Sequence, residues 1–264
     1  MNEGLQHIKI NKSKNGETRE VEDVVAVEAP LEIQIQHFTE GKPTAISVTM
    51  RTPGDDEELA LGFLFTEGLL TDYKQVKAVK YQGENIVKIY LQEGVKVELQ
   101  SVERNFYTTS SCGVCGKSSI EAITTKTQYH IENKAELKEK VLFSLKAKLA
   151  EQQSLFSATG GIHAAALFSE NGELRVMHED VGRHNALDKL IGEAFRSQKL
   201  PLQKSILLLS GRASFELVQK ATMAGISTIV SVGAPSSLAV ELARENGQRL
   251  IGFLKESSYN VYST

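Results

Sequence analysis

The chain holds only two cysteines, has no apolar run long enough to span a bilayer, and carries a net charge of just −3 over 264 residues. Each shortage excludes something. Without a span of about 20 apolar residues, no transmembrane helix is expected. The polar opening MNEGLQHIKINKSKNGETRE also lacks the apolar core of a secretion signal. A cytoplasmic location is therefore the expectation, and thiols stay reduced there. Two cysteines in that compartment read as metal binding, redox chemistry or nucleophilic sulfur, not as a structural disulfide. With a pI near 6.1 and basic residues spread along the chain, nothing pulls it towards nucleic acid or an anionic membrane.

What is present is an ordinary globular balance: 41% hydrophobic and 24% charged residues, enough for one large domain or two modest ones. The first hundred or so residues are strand-rich. Leu31–Phe38 and Ala45–Met50 alternate apolar and polar side chains around a Gly-Lys-Pro turn, which predicts a hairpin. Acidic residues 55–58 lead into an apolar stretch from Leu59 to Leu70, a mostly buried helix. Further strands are predicted at Val76–Tyr81, Ile86–Leu91 and Val95–Val102.

The second half changes rhythm. Leu137, Val141, Leu142, Leu145 and Leu149 fall on one helical face, and 162–168 with 173–178 form a hairpin. A helix follows over 187–195. Strands at 205–210, 226–232 and 249–254 then alternate with helices at 214–224 and 237–246. Short apolar strands alternating with helices imply parallel β-α-β units covered by helices on both faces. The domain boundary is placed so that 1–105 form a strand-rich N-terminal domain and 106–264 an α/β domain.

Asn105–Ser119 is small, polar and aperiodic, and it holds both Cys112 and Cys115. Sulfur attacks as thiolate, and Lys117, nearby backbone N–H groups and a following helix start can all lower a thiol pKa. Two thiols this close can also exchange or relay a sulfur. Zinc is the competing reading. It needs about four ligands, so His163, His178 or His184 would have to complete the set, yet none of them forms a His-x3-His pair. The motif alone does not decide between the two.

Two strand-to-helix loops, 210–214 and 232–237, bring Gly211, Arg212 and Gly233 to the carboxyl ends of parallel strands, where ligands tend to bind. Helix N-termini offer N–H groups to phosphate there, and Arg212 offers a forked donor. Ordinary βα turns with capping serines would look the same. Asp180, Arg183 and His184 precede a helix. They either orient a ligand and move protons, or serve structure, with Asn185 capping and Asp180 paired to Arg183. Arg51 either meets a phosphate or pairs with Asp55 or Asp56, and His163 reads as a core histidine.

Four motifs in order, RTPGDDEELALGF (51–63), SSCGVCG (110–116), EDVGRHNALDK (179–189) and SGRASFEL (210–217), resemble the FdhD family of formate dehydrogenase accessory sulfurtransferases. The resemblance covers nearly the whole chain. It implies a carrier that takes sulfur from a cysteine desulfurase as a persulfide on Cys112, with Cys115 as relay or guard. The sulfur then passes to molybdenum bis(molybdopterin guanine dinucleotide) before that cofactor enters formate dehydrogenase. The resemblance also implies a cytidine-deaminase-like three-layer α/β/α C-terminal domain, with cofactor contacts at Phe253, Leu254, Lys255, Glu256, Ser257 and Ser258. Zinc-dependent deamination is not implied. His163 is followed by Ala164 and Ala165 where that chemistry needs a glutamate, and the cysteines lie upstream instead of downstream. No zinc is expected. The remaining alternatives are a cofactor chaperone whose thiols are secondary and a zinc-stabilised nucleotide-binding protein. A symmetric homodimer, offering paired sites to a two-nucleotide cofactor, is the expected assembly.

Overall fold

The computed structural model describes residues 3–38, 41–97, 127–131 and 136–264. Strands β1 (Leu5–Lys14) and β2 (Glu17–Ala26) form an antiparallel ribbon of their own. Its turn is Asn15-Gly16, with φ values of 54° and 86°. A two-residue hairpin loop of type I′ requires that conformation at both positions, and Asn-Gly adopts it with least strain. This ribbon is an addition to the sequence reading, whose first strand begins at Leu31.

The next four strands form a second sheet in the order β4-β3-β6-β5, from β3 (Ala29–Gln36), β4 (Thr44–Arg51), β5 (Val76–Tyr81) and β6 (Ile86–Leu91). The expected hairpin is the antiparallel pair β3–β4, while β3 and β6 run parallel. Leu31, Ile33, Ile35, Val87, Ile89 and Leu91 form the buried face of this sheet. No strand continues over residues 95–97, and the rest of the strand expected at Val95–Val102 lies outside the described residues.

Helix α1 (Asp56–Thr66) starts three residues before the predicted apolar stretch and stops four short of its end. It is apolar on every side, which suits a helix buried between two layers. Its neighbour is α4 (Arg183–Arg196). The two helices touch backbone to backbone: a Cβ on Gly62 would lie 1.8 Å from the Asp188 carbonyl oxygen, and one on Gly192 would lie 1.8 Å from that of Glu58. One continuous apolar core joins α1 and the four-stranded sheet to the C-terminal half. The expected boundary at 105/106 lies outside the described residues.

The third sheet runs β12-β11-β10-β9-β7-β8. It contains β7 (His163–Ser169), β8 (Leu174–Asp180), β9 (Ser205–Leu209), β10 (Thr228–Ser231), β11 (Arg249–Gly252) and β12 (Asn260–Ser263). The last three predicted strands are parallel as expected, β7–β8 is the expected hairpin, and β12 adds an antiparallel edge. Side chains alternate across the sheet with period two. Ala164, Ala166 and Phe168 meet Leu142, Leu145 and Leu149 of α2 (Glu139–Gln152). Ala165 and Leu167 point to the other face, where α4 packs on β7 and where α5 (Phe215–Met223) and α6 (Ser237–Glu245) share the same core. A short α3 (Ser154–Thr159) follows α2. The mixed α/β architecture read from the sequence, a strand-rich first part and a helix-covered sheet, is the one observed.

Candidate functional site

Because β9, β10 and β11 point the same way, their carboxyl ends deliver three loops to one edge. Backbone bonds tie these loops together: Gly233 N–H donates to Gly211 O at 2.9 Å, and Phe253 N–H to Gly233 O at 3.1 Å. Gly211, Arg212, Gly233 and Phe253, predicted to share a site, are therefore neighbours. A Cβ on Gly233 would sit 2.9 Å from Arg212 Cγ, so the glycine leaves room for the arginine stem. Phe253 holds φ at 54° and exposes its ring. Beyond it, Lys255 N–H donates to Ser258 O at 2.9 Å, closing a turn that exposes Lys255, Glu256, Ser257 and Ser258. Leu254 corrects the sequence reading: its side chain is 1% exposed and packs in the core, so it anchors the turn and offers a ligand nothing but backbone.

At the same edge, a cavity of about 540 Å³ opens between β7 and α2, lined by His163, Ser210, Val232, Gly161, Phe156 and Lys146. His163 is thus not the core histidine expected. Burial first, then the Arg183 charge, holds its pKa below the ordinary value, so the ring is neutral near pH 7. His184 sits in the first turn of α4, its Nε2 3.4 Å from Ser214 Oγ and 3.9 Å from Glu216 Oε2. Burial, reinforced by Arg183 and Lys220, pushes it down to about 4. Arg183 stands between the two imidazoles electrostatically, and its Nε is buried without an acceptor among the described residues. An unpaired buried donor costs about 1–3 kcal/mol, which an incoming anionic oxygen would offset. Ser236 caps α6 by accepting from Ala239 N–H at 3.3 Å, whereas Ser214 makes no such cap on α5. In the first turn of α5 the Glu216 carboxylate instead bonds its own N–H and Ser214, which hold its pKa below the ordinary value against burial.

The rest of the 179–189 motif holds the fold together. Asp180 is entirely buried. One carboxylate oxygen accepts from Gly182 N–H (2.8 Å) and Asn185 Nδ2 (3.0 Å), the other from Thr52 N–H (3.1 Å) and Lys189 Nζ (2.8 Å). Asp180 therefore pairs with Lys189 and not with Arg183, and it has no oxygen left for a ligand. Asn185 does not cap α4; its Nδ2 also donates to Met50 O at 2.7 Å. Arg51 is buried against Asp56, donating through Nε (2.9 Å) and Nη2 (2.8 Å), so the pairing reading holds.

His178, weighed in the sequence only as a zinc ligand, bridges Asp55 (3.0 Å) and Glu193 (2.9 Å), linking the start of α1 to α4. Burial pushes its pKa down, but the two carboxylates outweigh burial and hold the imidazole above its ordinary value. The signal for it was absent from local sequence, since Asp55 lies 123 positions away.

Cys112 and Cys115 lie outside the described residues. Among the described residues, no cluster of three or more His, Asp or Glu side chains is arranged to hold a metal, and no helix is long and apolar enough to cross a membrane.

A sequence model of the FdhD/NarQ family matches residues 26–264. A protein of Streptomyces coelicolor named sulfur carrier protein FdhD is 47% identical, over 97% of this chain and 92% of its own. A protein of the same name from Sulfurisphaera tokodaii is 42% identical, over 98% and 97%. Among solved structures, a protein assigned as a formate dehydrogenase accessory protein from Desulfotalea psychrophila superposes with a TM-score of 0.76. That superposition covers 98% of this chain and 97% of that one at 24% identity, a likeness of fold. From the four motifs to the match over residues 26–264, the chain belongs to the FdhD/NarQ family.

Proposed function

We infer that this chain is a sulfur carrier serving formate dehydrogenase. In this reading it takes sulfur from a cysteine desulfurase as a persulfide on Cys112 and passes it to molybdenum bis(molybdopterin guanine dinucleotide), which is its substrate. The curated relatives support the carrier role by name. The observation that favours an anionic nucleotide partner is the carboxyl edge of the third sheet. There Arg212 lies beside a glycine loop, and Arg183 Nε is buried without an acceptor among the described residues.

The chemistry asks little of the fold beyond positioning. A Cys112 thiolate attacks the terminal sulfur of the donor persulfide. The donor S–S bond breaks, and the donor cysteine leaves as thiolate. Attack by Cys115 on Cys112 Sγ then releases the carried sulfur as hydrosulfide and leaves a Cys112–Cys115 disulfide, which an external dithiol must reduce before the next cycle. Val97 and Thr127, fifteen residues before Cys112 and twelve after Cys115, are the nearest described positions. A cytoplasmic homodimer presenting two such edges suits a cofactor with two guanine nucleotides.

Titration of the chain with guanosine diphosphate, beside adenosine diphosphate, tests the edge. Saturable, guanine-selective binding that weakens in Arg212→Ala supports the reading. Binding indifferent to the base and to Arg212 contradicts it.

A further inference from the structure

β9 has two ends, and each borders a cavity. Ser210, just past its carboxyl end, lines the cavity already described; Ser205, its first residue, lines another of about 540 Å³. Five residues at about 3.3 Å each separate the two by roughly 17 Å through the sheet. The two spaces are distinct.

The second cavity has an apolar floor of Leu167, Leu190 and Leu202, all buried. Its rim carries three cations, Arg175, Lys199 and Lys204, all exposed. Arg175 makes a single long bond, from Nη1 to Ser205 Oγ at 3.5 Å. Lys199 and Lys204 have no ion-pair partner among the described residues. The cavity's one acidic residue is Glu193, and its carboxylate is already engaged by His178 at 2.9 Å. In a chain whose net charge is −3, three uncompensated cations around one cavity form a local positive field. Gln203 Nε2 donates to His130 O at 2.9 Å, and Leu202 N–H to Ala224 O at 3.0 Å.

We propose that this cavity binds a small organic anion, an apolar body bearing a phosphate or carboxylate. The body rests on the three leucines, and the anionic group meets Arg175, Lys199 and Lys204. The volume falls within the range of small-molecule sites, and an apolar floor with a few convergent polar groups is the composition of such sites. A forked guanidinium beside two ammonium groups suits an oxyanion. The site is independent of the nucleotide edge and does not rest on the sulfur-carrier reading.

The test uses phenyl phosphate, inorganic phosphate and benzylamine against the full chain, read by calorimetry and by NMR shifts. Phenyl phosphate is expected to bind saturably, with inorganic phosphate about tenfold weaker because it leaves the floor unused, and benzylamine not at all. Arg175→Ala/Lys199→Ala/Lys204→Ala is expected to lose phenyl phosphate binding while keeping guanosine diphosphate binding and its circular dichroism. All three side chains are exposed, and the single variant Lys204→Ala, expected to bind severalfold less tightly, serves if the triple variant misfolds. No saturable binding, equal binding of benzylamine, or affinity unchanged in the variants overturns the proposal.

Discussion

Lys189 places its ammonium 2.8 Å from the carboxylate of Asp180, and both side chains are sealed from solvent, at 1% and 0% exposure. The pair sits where β4 runs into α1, because Lys189 also donates to Thr52 O at 2.9 Å and Asp180 accepts from Thr52 N–H. A motif that looks catalytic in one dimension thus acts as a buried clasp between segments 128 positions apart. Removing one partner of such a pair strands the other charge, a penalty larger than the net worth of the pair.

Asp180→Ala is therefore expected to destabilise the chain by about 3–5 kcal/mol in denaturant unfolding. Asp180→Asn, which keeps the shape and part of the hydrogen bonding, should lose less. If Asp180→Ala unfolds at the parent midpoint, the clasp carries no such weight.

The α1–α4 crossing predicts a sharper failure. A Cβ at Gly62 or Gly192 would fall 1.8 Å from a backbone oxygen, which no side-chain movement relieves. Gly62→Ala and Gly192→Ala should each yield little folded protein. Gly41→Ala, with nothing within 4 Å, should melt like the parent. Comparable melting of all three would contradict the crossing.

The His178 bridge predicts a pH dependence. Its folded pKa lies above the ordinary 6.5, so its stabilisation is complete below that value and is lost as pH rises through the folded pKa. Asp55 behaves oppositely. The hydrogen bond with His178 is the chief cause of its lowered pKa, so its contribution holds above the ordinary carboxylate value and is lost as acid reaches the folded one. Thermal unfolding across a pH series should show stability falling on the alkaline side of the His178 titration, and His178→Gln should flatten that fall. An identical slope in both proteins would remove His178 as its source.

Arg212→Lys keeps the charge beside Gly233 but loses the planar fork. Affinity for guanosine diphosphate is expected to drop by about tenfold, as befits one charge-assisted bond. Full retention would reduce Arg212 to a point charge.

The strand-helix alternation after residue 200 was legible because β9, β10 and β11 are short, apolar and punctuated by glycines, and every one appears where periodicity put it. The β1–β2 ribbon was not, since it buries little and has no clean alternation of apolar residues; only Asn15-Gly16 announced it. Gly211, Gly233 and Arg212 were legible as strand-end residues. Asp180, Asn185 and His178 were not, because their partners Thr52, Met50 and Asp55 lie more than a hundred positions away. His163 was misjudged because an apolar strand hides which end of it opens onto a cavity.

The central claim is that sulfur rides on this chain. Incubation with a cysteine desulfurase and free cysteine, followed by intact and peptide mass spectrometry, reads it directly. The account predicts one added sulfur on Cys112, removed by reductant and absent from Cys112→Ser. A well-folded chain that gains no sulfur beside an active desulfurase would contradict it.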